Sequence, residues 1–156
     1  MDDERWGTTA AYFELGLRAG IVDEDSARSW ALSIVEALDA PPLDAIEVLA
    51  SRNRAHLIET LRNARGVENA ELAARWLLHT LHRQLVADYD VARTVARQAF
   101  QVAQSAGLED SIGHGFNIID DCFSLIDSGI CTFDSCFAVL TDALTQAEAV
   151  PQLASV

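Results

Sequence analysis

Between residues 114 and 127 the sequence sets His114, Asn117, Asp120, Asp121, Ser124 and Asp127 mostly three or four apart, so a helix there lines them along one side. A row of carboxylates with a histidine has two chemical uses. Asp120 and Asp121, with His114 one to two turns upstream, could hold a divalent cation that in turn grips a diphosphate. The same row could be a recognition face whose negative charge draws in a basic protein. A plain solvated helix face in an acidic protein carries the same residues, and the three readings stay open on the spacing alone.

The remaining chemistry-bearing residues form no catalytic set. His79 and His82 stand three apart and could share a transition metal if carboxylates from another helix completed the shell. His79 lies in register with Arg75 and Arg83, however, and the Glu-x-x-His pattern of di-metal bundles is missing, so both read as surface or boundary histidines. His56 stands alone beside Asn53 and Glu59. The three cysteines are odd in number, and none forms a Cys-x-x-Cys pair, which points to a reduced, cytoplasmic protein. Cys122 falls with Ile118 and Leu125 on the side expected to be buried, and Cys136 joins Phe133 and Leu140; both read as core filler. Cys131 stands at the start of a helix, where a thiolate is favoured, but no histidine is near it in sequence. There is no Gly-x-Ser-x-Gly elbow, and Ser124 is mid-helix. Gly113-His114-Gly115 follows no strand, so its glycines serve to loosen the first turns or to admit a neighbouring helix. The sequence therefore reads as non-enzymatic, with no metal and no cofactor assigned.

Positioning these residues falls to helices, because the apolar period is near 3.6 almost throughout. Eight are expected. The first covers about Thr9 to Ala19 and stops at Gly20. The second starts from Asp23 or Asp25, carries Trp30 on its inner face and ends at Pro41-Pro42. A short third covers about Leu43 to Ala50. Asn53 caps the fourth, and Asn69 starts a fifth through about Val86 with Leu77, Leu78, Leu81 and Leu85 inward. Trp76 borders that stripe, an edge open to solvent. Asp90 caps the sixth, Asp110 or Ser111 opens the seventh, and Thr132 caps the eighth. Phe116, Ile119 and Phe123 face the core from the seventh. Four links share the grammar glycine, apolar residue, polar residues, new helix: Gly20-Ile21, Gly66-Val67, Gly107-Leu108 and Gly129-Ile130. Residues 20–26 and 129–135 match at Gly, Ile, Asp and Ser, by duplication of a hairpin or by shared capping chemistry. Short links make consecutive helices neighbours. The expectation is an all-α single domain over residues 1–150 of about eight mostly antiparallel helices, with a patternless tail at 151–156 that frays.

Charge narrows the partners. The 156 residues carry 24 acids, 11 arginines and no lysine, a net of −13. Twenty-five alanines and the arginine-only cations are what GC-rich coding produces, so the missing lysine has no functional reading. Such a charge opposes nucleic acid and anionic membrane surfaces. Met1-Asp2-Asp3-Glu4-Arg5 has the wrong sign for a secretory leader, and no apolar run is long enough for a membrane span. Residues 1–97 hold 16 acids and every arginine, whereas residues 98–156 hold eight acids and no cation but histidine. The last two helices are thus strongly negative, and the oligomeric state is left open.

Two family comparisons follow from these residues. Asp120-Asp121 is nearest to the helical Asp-Asp-x-x-Asp motif of isoprenoid synthases, but the third position is Ser124 and no second acidic motif follows. Residues 15–22 (Leu-Gly-Leu-Arg-Ala-Gly-Ile-Val), 27–31 (Ala-Arg-Ser-Trp-Ala), the Pro-Pro pair with 46–50, and 119–130 (Ile-Asp-Asp-Cys-Phe-Ser-Leu-Ile-Asp-Ser-Gly-Ile) resemble small all-helical bacterial immunity proteins of contact-dependent and other polymorphic toxin systems. That resemblance implies a cytoplasmic protein that blocks a cognate toxin domain, such as a basic nuclease. The row at His114, Asn117, Asp120, Asp121, Ser124 and Asp127 is its expected partner-binding face. A metal-dependent helical enzyme using His114, Asp120 and Asp121, and a helical adaptor, are the other classes in view.

Overall fold

Capping side chains and left-handed glycines punctuate the chain into eight helices in a computed structural model that describes residues 3–155, with no strand among the described residues. They are α1 (Asp3–Ala19), α2 (Glu24–Ala37), α3 (Leu43–Ala50), α4 (Arg54–Ala64), α5 (Ala70–Gln84), α6 (Tyr89–Ser105), α7 (Asp110–Ser124) and α8 (Phe133–Ala147). Met1 and Asp2, part of the segment read as unlike a secretory leader, and Val156 of the tail lie outside the described residues. No helix of the described residues is long and apolar enough to cross a membrane.

The caps follow local chemistry. Ser26 N donates to Asp23 Oδ1 (2.7 Å), His56 N to Asn53 Oδ1 (2.9 Å) and Leu72 N to Asn69 Oδ1 (2.9 Å), and Ser135 N donates to Thr132 Oγ1 (3.3 Å). The sixth helix departs from expectation: Asp88, not Asp90, accepts from Val91 N at 3.0 Å, and Asp90 stands inside the first turn. Gly20, Gly66, Gly107 and Gly129 all take positive φ, as the shared grammar requires. The apolar residue that follows packs back in two of the four links. Ile21 and Leu108 are buried, while Val67 and Ile130 stand out in solvent. The matched segments at 20–26 and 129–135 each place a cap three residues after the glycine, Asp23 in one and Thr132 in the other.

The helices gather into two compact units, Met1–Ala73 with Gln152–Val156, and Ala74–Pro151. The division falls within α5, which is why no linker composition marks it in the sequence.

In the first unit α1 packs on α4, and α3 packs on both α2 and α4. α1 begins well before Thr9 because its polar opening is satisfied within the helix: Thr8 Oγ1 and Thr9 Oγ1 donate to Glu4 O (2.6 Å) and Arg5 O (2.8 Å). Trp30 lies between Trp6 and Phe13, with ring centroids 4.7 and 5.2 Å away. Two residues of the tail, Gln152 and Ala154, make hydrogen bonds to side chains of the first unit. Trp30 Nε1 donates to Ala154 O (3.0 Å), Ala154 N to Thr9 Oγ1 (2.8 Å) and Arg5 Nε to Gln152 O (2.9 Å). A segment without its own pattern is thus held by backbone bonds to side chains of α1 and α2. Glu14 of α1 is fully buried, its carboxylate held by Arg18 (3.3 Å), Arg62 (3.0 Å) and Arg65 (3.0 Å).

In the second unit α6 packs most extensively on α7, and α7 on α8. Ala92, Ala96, Ala99 and Ala103 are buried along α6 and keep that side of the helix thin, which permits close packing. Phe116, Ile119 and Phe123 of α7 meet this core with Leu140 and Leu144 of α8. Trp76, expected to show an edge to solvent, is buried, because its neighbours Leu77, Leu78 and Leu81 widen the inward side of α5. The polar end of α8 is clamped to α5: Arg75 Nη1 donates to Ala147 O (2.9 Å) and Ala149 N to Arg75 O (3.0 Å).

Candidate functional site

α7 and the turn that joins it to α8 hold the residues expected to act, all within the second unit. The helix opens at Asp110 after Glu109, whose side chain makes no capping bond. It closes at Ser124, where Leu125 N donates to Cys122 O at 3.1 Å. His114, Asp121 and Ser124 are exposed on it, and Asn117 and Asp120 are half-buried. Asp127 is exposed but stands in the turn beyond the helix, because the chain leaves α7 ahead of the positive-φ Gly129.

The side of α7 that carries Ile118, Cys122 and Leu125 is not the buried one. Ile118 is 53% and Leu125 38% exposed, and Cys122 is half-buried. α7 is apolar on more than one side, and packing against α6 and α8 takes only the stripe of Phe116, Ile119 and Phe123. The outward surface therefore alternates apolar and acidic residues, Ile118, Asp121 and Leu125, with Ile130 exposed after them. Among the described residues, Asp120, Asp121 and Asp127 form no ion pair with an arginine. One cation does reach this row: Arg93 of α6 donates from Nη2 to Ser124 Oγ (3.1 Å) and from Nη1 to Tyr89 Oη (3.2 Å). Arg93 Nε and Asp120 Oδ1 are each buried with no hydrogen-bond partner.

This arrangement bears on the cation reading of the row. His114, Asp120 and Asp121 do not bring three ligand atoms together among the described residues. The metal-capable group that does converge is a different one, Cys122, Cys131 and Cys136, whose sulfurs all lie within 4.8 Å of one another. Cys122 is on the last turn of α7, Cys131 in the link and Cys136 on the first turn of α8, where it is buried. Burial raises the Cys122 thiol above its ordinary value, against an opposing hydrogen bond with Cys131. Cys131, expected to favour the thiolate, shifts the other way, because its hydrogen bond with Cys122 stabilises the protonated form. Both thiols are expected to react more slowly with iodoacetamide at pH 7 than free glutathione, read by mass spectrometry over time. Rates equal to or above glutathione's would contradict the raised thiols.

The glycines at 113 and 115 admit no neighbouring helix. A Cβ at either would meet nothing within 4 Å. A shallow groove of about 380 Å³ opens beside Gly115 instead, lined by Ile112, Phe116, Ala143 and Ala147 among others.

His79 and His82 gather a carboxylate that sequence spacing does not reveal. Their Nδ1 atoms lie 3.3 and 2.9 Å from the same oxygen, Glu148 Oε2, just past the end of α8. Only the His82 contact has hydrogen-bond geometry; His79 Nδ1 is buried without a partner of good alignment. One carboxylate oxygen drawn to both rings, together with the Arg75 bonds above, makes this a clamp on the end of α8. His56 accepts from Arg52 N at its Nδ1 (3.3 Å) and so belongs to the turn before α4.

Compared with known proteins, the chain matches no family model, no curated protein and no solved structure.

Proposed function

We propose that this protein acts by binding another protein, a basic one, through the outward face of α7 and the turn after it, and that its role is to neutralise a cognate bacterial toxin domain of nuclease type. The observation that carries the reading is the composition of that face. Ile118 and Leu125, both exposed, flank Asp121, and Asp120 and Asp127 stand nearby without an arginine ion pair among the described residues. An exposed apolar strip bordered by one sign of charge suits a partner surface: the apolar residues supply desolvation at the centre, and the carboxylates steer the encounter. A nuclease domain that grips phosphates presents the complementary positive surface, which an acidic inhibitor can occupy. The resemblance to immunity proteins points to the same class of partner.

The test is co-expression with the product of the adjacent gene, scoring rescue from toxicity and co-purification. In the complex, changing Asp120, Asp121 and Asp127 together to Asn is expected to slow association by about tenfold or more at low salt and to flatten its salt dependence. An unchanged on-rate and affinity would remove α7 as the binding face. Absence of both rescue and a complex would remove the toxin-neutralising reading.

A further inference from the structure

Three thiols from one short stretch of chain meet at the corner between α7 and α8, and the proposed partner-binding face makes no use of them. We propose that Cys122, Cys131 and Cys136 bind a single thiophilic metal ion through all three sulfurs, in the three-coordinate manner of Cu(I).

The geometry is close to complete before an ion arrives. The three sulfurs lie within 4.8 Å of one another. Three sulfurs around one ion at a metal–sulfur distance of ~2.3 Å sit roughly 3.8–4.0 Å apart, so each sulfur has to move by less than the width of an atom. The positions are held by backbone that is already fixed. Gly129 at φ 72° reverses the chain, and Ile130 N donates to Leu125 O (3.3 Å) just before Cys131. Thr132 then caps α8, and Cys136 N donates to Thr132 O (3.1 Å). An entry path exists as well: Cys136 is buried at the base, while Cys122 and Cys131 are only half-buried and give onto solvent.

The donor set selects the ion. Thiolates alone suit soft ions, Cu(I) and Zn(II) foremost, and exclude Mg(II) and Ca(II). Structural zinc takes four protein ligands, and no histidine, aspartate or glutamate joins the three sulfurs among the described residues. Three sulfurs and no fourth donor fit an ion content with trigonal coordination.

The experiment uses the full chain, kept reduced with a phosphine under anaerobic conditions. Cu(I) is supplied from a chromophoric chelator and, in a parallel arm, Zn(II) from a zinc dye, with native mass spectrometry counting bound ions. One equivalent of Cu(I), taken from the chelator with sulfur-only coordination by X-ray absorption, is the expected result. Cys131→Ser, at a half-buried corner, is expected to weaken binding more than roughly 100-fold, beyond the ~10–100-fold that loss of an outer-shell partner costs. Because Cys136→Ser could disturb the core, circular dichroism accompanies it. Protection of all three thiols from N-ethylmaleimide by bound Cu(I) in the unmutated chain gives a second readout that requires no variant. Failure to retain Cu(I), Cu(I) binding indifferent to Cys131→Ser, or retention of Zn(II) but not Cu(I) would each overturn the assignment.

Discussion

Gly7→Ala is expected to destabilise the first unit by about 3 kcal/mol or more, although alanine in a helix interior ordinarily gains up to ~1 kcal/mol over glycine. A Cβ at Gly7 would overlap Arg65 O and Val67 O. Both obstacles are backbone atoms of the turn that follows α4, so no side-chain rotation relieves them. α1 would have to draw away from that turn, and the bond from Asn69 N to Thr8 Oγ1 (2.9 Å) would go with it. Gly113→Ala and Gly115→Ala are the controls. Nothing lies within 4 Å of either Cβ, so the helix-propensity gain of up to ~1 kcal/mol should appear undiminished. Urea unfolding read by tryptophan emission, which in the first unit comes from Trp6 and Trp30, measures all three. If Gly7→Ala were neutral, the close approach of α1 to the turn at Arg65–Val67 would be wrong.

The second large effect concerns Glu14, and it is asymmetric. Changing Arg62 and Arg65 together to alanine is expected to cost about 3 kcal/mol, the lower end for breaking a buried ion pair, because Arg18 remains at 3.3 Å. Glu14 is fully buried and cannot recover its hydration, whereas Arg62 is 56% and Arg18 47% exposed in their side chains. Glu14→Gln should therefore cost less, about 1–2 kcal/mol: it leaves its arginines free to rehydrate, and Arg65 retains Glu68. Adding Glu14→Leu to the Arg62→Ala, Arg65→Ala pair is expected to restore stability, since the orphaned carboxylate is removed and apolar volume replaces it. Unfolding midpoints of the three variants decide it. A triple variant less stable than the double would mean that the carboxylate is satisfied by something other than these arginines.

Local chemistry was readable along the chain. The caps at Asp23, Asn53 and Thr132 and the left-handed glycines at 20, 66, 107 and 129 depend on groups three or four residues apart, so the sequence carries both halves of each interaction. The cap expected at Asp90 falls instead on Asp88, which offers the same side chain two residues earlier, and helical periodicity does not choose between them. The placement of His114, Asn117, Asp120, Asp121 and Ser124 on one helix was legible, and so was the lack of arginine near them in sequence, whereas Asp127 falls in the turn beyond it.

The rest needed the packed chain. α7 carries two apolar stripes, and periodicity alone cannot say that Phe116, Ile119 and Phe123 go inward while Ile118 and Leu125 stay out; α6 and α8 decide it by covering one stripe. Glu14 is held by Arg62 and Arg65, 48 and 51 residues away, a pairing that helical spacing does not reveal. Glu148 meets His82 across 66 residues, which no helical spacing could foretell. The three cysteines lie within one stretch of fifteen residues, yet their convergence depends on how a left-handed glycine turn and a helix cap aim Cys131 and Cys136 back at Cys122. Helix formation, capping and net charge are determined by the chain's own neighbours in sequence, because their interactions close within a turn. Which surface is buried, which acid is paired and which thiols meet are decided by tertiary packing, because those interactions exist only once distant segments have been brought together.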